Sequence, residues 1–165
     1  MLVLVKILNI IFKFSTFNVL LHFGWLRLKK LSKKELKIMC EVSMLPVPVI
    51  IDCDSGNDDA WAIISLLKAE KKLNLKLLAI TCCNGNTTVN HSALNNLLIL
   101  ETVDRMDVPV YAGAESSLIK KTEYYKPFHG ADGFGEIYKT KPDKELLQKK
   151  HAVEALKDYI NEVCI

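Results

Sequence analysis

Four aspartates lie within eight residues of one another, at Asp52, Asp54, Asp58 and Asp59. They follow the apolar residues 47–51, whose β-branched side chains predict a buried strand. Carboxylates this close raise one another's pKa and destabilise the fold unless a cation neutralises them. Calcium and magnesium ions take oxygen ligands, and Asp54 and Asp59 stand on either side of a predicted turn, where both could reach one ion. The cluster therefore predicts a metal site at the carboxyl end of a strand.

The spacing of the aspartates argues against an EF-hand calcium site and leaves a phosphatase site open. An EF-hand loop that began at Asp52 would need glycine at its sixth position and glutamate at its twelfth, but Asn57 and Ile63 stand there. A magnesium-dependent aspartyl-phosphate phosphatase also has Asp-x-Asp after a hydrophobic strand, with the first carboxylate as nucleophile, and this alternative stays open. Two of the aspartates could instead cap the next helix, although four exceed what capping needs.

Strand and helix signals alternate after the cluster. The first helix begins near Asp58, with Asn57 or Ser55 as its expected cap. The order β-α-β-α-β is typical of an α/β fold with a doubly wound, Rossmann-like, mostly parallel sheet, in which ligands bind at the carboxyl ends of the strands. The predicted strands cover residues 47–51, 73–81 and 108–112, and the predicted helices between them cover residues 58–67 and 93–103.

The last third of the chain is predicted to be a long loop followed by one helix. Residues 114–149 lose periodicity and include His129 and Asp132 in a glycine-rich run, so these two are candidate site residues. A helix over residues 151–163 ends the chain and leaves the parallel sheet truncated. Its apolar face is predicted at Val153, Leu156, Ile160 and Val163.

Charge and cysteine content narrow the class of protein. Residues 1–43 hold eight Lys and Arg against two acids, so the remainder is mildly acidic although the whole chain is +3. No basic stripe with interleaved aromatic side chains is present, which argues against nucleic-acid binding. Five cysteines without a repeated C-x-x-C spacing argue against a disulfide framework and a zinc site, and favour a reducing, cytoplasmic location.

Residues 1–43 are predicted to be a poorly structured or helical extension, and residues 44–165 to be the folded domain. Lys6, Lys13 and His22 interrupt the apolar stretch, so no uncharged run reaches the length that spans a bilayer, and a membrane location is not expected. A gene-model extension upstream of Met44, a membrane anchor and a mitochondrial targeting peptide stay open as interpretations of this segment.

The pattern Asp-x-Asp-Ser-Gly-x-Asp-Asp-Ala at residues 52–60 resembles the nucleoside hydrolases, the inosine/uridine-preferring family. The resemblance covers residues 47–163 and corresponds to the N-terminal half of the family's domain. It departs from the family at Ser55, where proline is usual. Further motifs follow in the same order, namely Ala79-Ile80-Thr81 with Gly85-Asn86, Val108-Pro109-Val110 with Ala112-Gly113, His129-Gly130 with Asp132-Gly133-Phe134-Gly135, and residues 151–156.

The resemblance implies hydrolysis of the N-glycosidic bond of a ribonucleoside to ribose and a free base, with a bound Ca²⁺ and a homodimeric or homotetrameric assembly. It implies Asp54 and Asp59 as the calcium ligands, and Asp54 also as the general base that takes a proton from water. Asp58 and Asn86 are implied to bind the sugar.

His129 is implied to lie on the nucleobase side of the substrate, and Asp52 to orient the turn. The family's second half supplies further calcium ligands and the acid for the leaving base. A non-catalytic fragment that binds a partner or a metal through the same motif is therefore the alternative.

Overall fold

The computed structural model describes residues 45–119, 129–137 and 142–163, so the predicted extension 1–43 lies outside the described residues. None of the described helices is long and apolar enough to cross a membrane. In chain order the elements are β1 (Val47–Cys53), α1 (Asn57–Leu73), β2 (Leu75–Cys82), α2 (Val89–Thr102), β3 (Val110–Ala112), the 3₁₀ helix Lys144–Leu146 and α3 (Ala152–Val163).

The three described strands form one parallel sheet in the order β1-β2-β3. A register shift between Val49 and Ile50 interrupts the ladder between β1 and β2. Beyond the shift, Asp52 pairs with Thr81, and the two strands end level with each other. The turn after β1 and the loop after β2 therefore leave the sheet side by side.

Helices cover both faces of the sheet, as predicted for a doubly wound fold. Val110 belongs to the core that includes α2, whereas the next residue, Tyr111, packs edge-on against Tyr159 of α3 with ring centroids 6.3 Å apart. Successive side chains of a strand point to opposite faces, so α2 and α3 lie on opposite sides of β3. The predicted α/β class with a parallel sheet is confirmed.

Helix α2 is buried on almost all sides, so several of its polar residues lie in the core together with the apolar ones. Its side chains pack against β2 and β3 and against Phe134 of the glycine-rich loop. Two asparagines, Asn95 and Asn96, lie in the middle of this helix and are fully buried. Polar groups so deep in a core require partners, and these partners lie around the carboxylate cluster.

Three predicted strand boundaries were wrong by two residues, because β1 continues to Cys53 and both β2 and β3 start later than predicted. β2 starts at Leu75 because α1 continues to Leu73 and ends with Asn74 in the left-handed conformation, at φ 51°. β3 starts at Val110. Pro109, which has no N–H to contribute to a ladder, precedes it and offers only its carbonyl, which accepts from the backbone N–H of Ile80.

The predicted cap of α1 was also wrong. Gly56 is the N-cap, and neither Asn57 nor Ser55 caps the helix. The Asp59 carboxylate reaches back and accepts a hydrogen bond from the backbone N–H of Gly56 at 3.0 Å. A carboxylate at the third helical position thereby satisfies the backbone N–H of the N-cap residue, which is one half of a capping box.

The predicted apolar face of α3 was wrong in part. Val153 is 64% exposed and Ile160 is 39% exposed, whereas Ala152 and Ala155 are buried. The alanines face the sheet because small side chains let the helix approach β3 closely. The Cβ of Ala152 lies 3.5 Å from the position that a Cβ on Gly113 would take.

Candidate active site

The turn that carries the aspartates leaves β1 at Cys53 and enters α1 at Asn57. Ser55 is fully buried within it and has a φ of 45°, in the left-handed region that few non-glycine residues adopt. Backbone strain of this kind persists where surrounding contacts hold it in place. We refer to residues 52–59 as the carboxylate turn.

Asp54 and Asn86 are joined across the ends of β1 and β2. The Asp54 Oδ2 atom accepts from the backbone N–H of Asn86 at 2.9 Å, and Asp54 Oδ1 accepts from Asn86 Nδ2 at 3.3 Å. Gly85 makes this approach possible, because a Cβ at that position would clash with Asp54 Oδ2. The structure thus brings together two residues that sequence reasoning placed in the site from separate motifs.

Asp59 is only 4% exposed, and its pKa is raised to about 6. Burial is the main cause, and the negative charges of Asp54 and Asp58 add to it, while the hydrogen bond from Gly56 acts in the opposite direction. No ion pair among the described residues involves these carboxylates. The turn therefore concentrates negative charge that the described residues do not offset with a basic side chain.

Asp58 and Asp52 occupy opposite sides of the cluster. Asp58 is exposed, and its Oδ1 atom and Asn86 Nδ2 both lie within 3 Å of the point where a Cβ on Gly56 would stand, at 2.8 and 2.6 Å. Asp52 Oδ1 instead accepts from the hydroxyl of Thr81 at 2.7 Å. Asp58 and Asn86 therefore present neighbouring polar groups, while Asp52 is held against the sheet.

The glycine-rich loop at residues 129–136 lies against the same region. Asp132 Oδ1 accepts from the backbone N–H groups of Phe134 and Glu136, at 2.7 and 3.0 Å, so this carboxylate shapes the loop. The backbone carbonyl of His129 accepts from Gly135 N–H at 2.6 Å. Asn95 connects the loop to the carboxylate turn, since its Nδ2 donates to the carbonyls of both Asp132 and Ser55.

The oxygen-rich turn fits a hard cation in donor type and charge. Asp54 and Asp59 offer carboxylate oxygens, and a cation would offset both the burial and the neighbouring negative charges that raise the pKa of Asp59. The Oδ1 atom of Asn84, in the same loop as Asn86, is buried and has no hydrogen-bond partner. No group of three His, Cys, Asp or Glu side chains able to hold a metal occurs among the described residues, so the two carboxylates supply only part of a calcium cage.

Three thiols lie beneath the carboxylates without forming a disulfide. Cys53 and Cys82 are buried, and the Nδ2 group of Asn96 donates to both sulfur atoms, at 3.4 and 3.2 Å. Burial raises the pKa of the Cys53 thiol to about 11 and that of the Cys83 thiol to about 12, with Asp52 and Asp54 adding to the latter. These thiols are protonated near neutral pH and do not act as nucleophiles.

Sequence reasoning missed Thr81, Gly85 and Asn95 as supports of the site. Thr81 and Gly85 belong to motifs that had been noted without a role for these side chains. The signal for Asn95 was the pair of amides at Asn95 and Asn96 within an apolar helical stretch, because a polar side chain in a buried helix needs a specific partner.

Comparisons with known proteins agree on one family. The family model described as "Inosine-uridine preferring nucleoside hydrolase" matches residues 49–165. The chain is 33% identical over 116 residues to the inosine-uridine preferring nucleoside hydrolase of Crithidia fasciculata, and 38% identical over 115 residues to the pyrimidine-specific ribonucleoside hydrolase RihA of Photobacterium profundum. Each alignment covers 70% of this chain and 36% of the relative. The chain thus spans about a third of the length of the curated relatives that it matches.

Solved structures give the same result. A plant nucleoside hydrolase, the PpNRh1 enzyme, is similar at a TM-score of 0.60 and 36% identity, over 70% of this chain and 36% of its own. An inosine-guanosine nucleoside hydrolase is similar at a TM-score of 0.60 and 33% identity, over 68% of this chain and 34% of its own. The comparisons give the phosphatase alternative no support.

Proposed function

Because the chain belongs to the inosine-uridine preferring nucleoside hydrolase family, we propose that it takes part in hydrolysis of the N-glycosidic bond of ribonucleosides, which yields ribose and a free base. The observation that carries the proposal is the pairing of Asp54 with Asn86 at the ends of two adjacent strands, with Asp58 beside them. The arrangement supports the proposal, because a carboxylate that could act as a base and two groups suited to sugar hydroxyls lie at one end of the sheet.

Asp54 is the proposed general base. Its carboxylate takes a proton from the attacking water, and the two hydrogen bonds from Asn86 fix its orientation. Asp58 is exposed and able to accept hydrogen bonds from the ribose hydroxyls, and the Asn86 side chain lies next to it. The negative charge of the turn stabilises the oxocarbenium-like transition state in which positive charge develops on the sugar.

Calcium dependence is part of the proposal. Asp54 and Asp59 are the residues that would hold Ca²⁺, and a bound ion supplies positive charge that offsets the carboxylates and a template for the substrate oxygens. Asp52 keeps the strand end in place through Thr81. His129 is proposed to contact the nucleobase from the glycine-rich loop.

Activity of this 165-residue chain is tested by incubating it with inosine or uridine and Ca²⁺ and measuring released ribose as reducing sugar. We expect release by the wild-type chain and loss of at least about a hundredfold in Asp54→Asn, which keeps the shape of the side chain but removes the base. The matched control is Asp104→Asn, an exposed carboxylate at the end of α2 with a φ of 56°, which asparagine also tolerates. Equal turnover by Asp54→Asn and Asp104→Asn would contradict the proposed base.

A non-catalytic chain that binds a metal or a partner through the same motif is the second candidate. Its basis is the pair of carboxylates at Asp54 and Asp59, which offers oxygen ligands but only part of a calcium cage within the described residues. Calorimetry with Ca²⁺ and the sugar assay together distinguish the two candidates, since this one predicts heat of binding for Ca²⁺ with no release of reducing sugar from inosine.

The cytoplasm is the proposed location, and the free Cys53, Cys82 and Cys83 agree with a reducing compartment. The homodimer or homotetramer implied by the family resemblance stays a prediction, and light scattering at several protein concentrations measures it.

A further inference from the structure

Asn95 is the one side chain of α2 that is hydrogen-bonded to both parts of the proposed site, among the contacts of the described residues. Its Nδ2 group donates to the carbonyl of Ser55 at 3.3 Å and to the carbonyl of Asp132 at 2.9 Å. Ser55 lies between Asp54 and Gly56 in the carboxylate turn, and Asp132 lies in the glycine-rich loop that carries His129. A single amide group, with two N–H donors, thus joins two segments that are far apart in the sequence.

The position of Asn95 makes this connection rigid. The residue is fully buried in the middle of α2, which packs into the core. Both carbonyls are backbone groups, so a change at Asn95 would act on the path of the chain and not on one side chain. Losing the amide would leave two carbonyls in a region with little water, and one or both segments would have to move to find new partners.

Neighbouring contacts attach the loop to the N-terminal end of α2 but not to the carboxylate turn. The Thr87 hydroxyl donates to the carbonyl of Ala131 at 3.4 Å, and Gly133 lies so close to Thr87 that a Cβ there would be 2.7 Å from Thr87 Cγ2. These contacts keep the loop near the helix. They reach the carboxylate turn only indirectly, through Asn86 and its bonds to Asp54, whereas Asn95 bonds Ser55 and the loop directly.

We propose that Asn95 is a positioning residue that holds the carboxylate turn and the glycine-rich loop at a fixed separation, so that one nucleoside is bound at its sugar and at its base together. The inference rests on the proposed function, which assigns the sugar to the turn and the base to the loop. The proposal predicts a selective loss of affinity. A variant at Asn95 loses affinity for a whole nucleoside and keeps its affinity for ribose.

Asn96 provides a matched control. It is the next residue on the same helix, is equally buried, and donates its amide to the sulfur atoms of Cys53, at the start of the turn, and of Cys82 in β2, so these bonds do not link the turn to the loop. Removing either amide takes a polar group from the core of α2. Asn95→Ala also removes the link between the carboxylate turn and the glycine-rich loop, whereas Asn96→Ala leaves that link intact.

The first measurement needs no ligand. Hydrogen exchange of the full 165-residue chain, followed residue by residue, reports local opening of the loop through the Phe134 and Glu136 N–H groups, which are bonded to Asp132. We expect Asn95→Ala to speed exchange of these two groups about tenfold relative to Asn96→Ala. Equal protection in the two variants would overturn the proposal.

The second measurement compares ligands by calorimetry with ribose, inosine and uridine. We expect Asn95→Ala to lose about tenfold in affinity for the nucleosides and less than about threefold for ribose, and Asn96→Ala to leave the ratio of the two affinities at its wild-type value. An equal loss for ribose and nucleoside in Asn95→Ala, or a selective loss in Asn96→Ala, would overturn the proposal. A wild-type chain that binds neither ligand refutes the proposed function, while the exchange measurement still decides whether Asn95 holds the two segments together.

Asn95→Ser keeps the test decisive if Asn95→Ala does not fold. Its hydroxyl has one donor and can bond one of the two carbonyls but not both. We expect a stable chain in which exchange at Phe134 and Glu136 is still accelerated. Full protection of both groups in Asn95→Ser would also overturn the proposal.

Discussion

Two clusters of acidic residues lie at opposite ends of the sheet and are treated differently by the fold. At the amino end of the strands, Arg105 bonds Glu70 at 2.5 Å and Asp107 at 2.7 Å. The guanidinium lowers the pKa of Asp107, and the two carboxylates raise that of Arg105. At the carboxyl end, the aspartates of the carboxylate turn have no such basic partner among the described residues, and the pKa of Asp59 is raised instead.

The difference separates a structural cluster from a site. Where acids serve stability, the chain supplies its own cation, and Arg105 offsets part of the negative charge of Glu70 and Asp107. Where they are proposed to bind a ligand, charge is left without a basic partner among the described residues and the surrounding backbone holds it in place, as Gly85 and the cap at Gly56 do. Uncompensated charge at the end of parallel strands is therefore the better guide to function than the number of acidic residues.

Removing the basic partner at the amino end has the largest expected effect on stability. Arg105→Met should lower the free energy of unfolding by about 2 kcal/mol, because Glu70 is mostly buried and would be left with an unpaired charge. Chemical denaturation measures this loss, and Ca²⁺ should not restore it.

Lys150→Met is the matched control for Arg105→Met. Its ion pair with Asp158 is about half exposed on both sides and is screened by solvent, so we expect a much smaller loss than in Arg105→Met. Losses of similar size in the two variants would mean that burial does not distinguish the Arg105 cluster from a surface pair.

Adding one methyl group at the carboxyl end of the strands has the next largest expected effect on stability. In Gly85→Ala the new Cβ would overlap the Asp54 carboxylate and push it from its bonds to Asn86. We expect a loss of stability of about 1–2 kcal/mol and a loss of Ca²⁺ binding, measured by denaturation and calorimetry. Gly135→Ala is not a suitable control, because its φ of 74° adds strain, and Ser65→Ala on the exposed side of α1 serves instead.

The fold and the position of the site could be predicted because both follow from local patterns. The apolar residues 47–51 and the helical spacing after Asp58 define a strand, a turn and a helix, and the parallel order then places Asp54 and Asn86 at one edge. Element ends were predicted less well. They depended on particular contacts, such as the bond from Gly56 to Asp59, that periodicity does not contain.

The supports of the site could not be predicted for a related reason. Asn95 acts on backbone carbonyls of residues 40 and 37 positions away, and only the folded chain brings these together. The exposed Val153 and Ile160 show the same limit, since the pattern of α3 predicts an apolar stripe but not which stripe faces the sheet.

Neutralising one acid of the carboxylate turn should have the opposite sign to Arg105→Met. Asp59→Asn keeps an oxygen that can accept from the Gly56 N–H and removes a buried charge next to Asp54. We expect the metal-free chain at pH 7 to gain about 1 kcal/mol in stability. The same variant should lose the stabilisation that Ca²⁺ gives the wild-type chain, measured as the shift in denaturation midpoint at saturating ion. A stability loss in the metal-free variant would contradict the account of uncompensated charge.

The smallest effect is the pH dependence of the metal-free chain. The pKa of Asp59 is raised from 3.8 to about 6 in the folded state, so the folded state holds its proton more tightly than the unfolded state does. This contribution to stability is fully present below pH 3.8 and is lost as the pH rises through about 6. Between about pH 5 and about pH 7.5 the loss amounts to roughly 1 kcal/mol.

Denaturation at several pH values in the presence of a chelator measures the pH dependence. Subtracting the curve of Asp59→Asn from that of the wild type removes the contributions of the other titrating groups. We expect the difference between wild type and Asp59→Asn to be small at about pH 5 and to grow in favour of the variant by about pH 7.5. Saturating Ca²⁺ should reverse the trend, because the ion binds the ionised carboxylate and stabilises the wild-type chain more at the higher pH. A wild-type curve parallel to that of Asp59→Asn would show that Asp59 is compensated within the chain, as Asp107 is by Arg105.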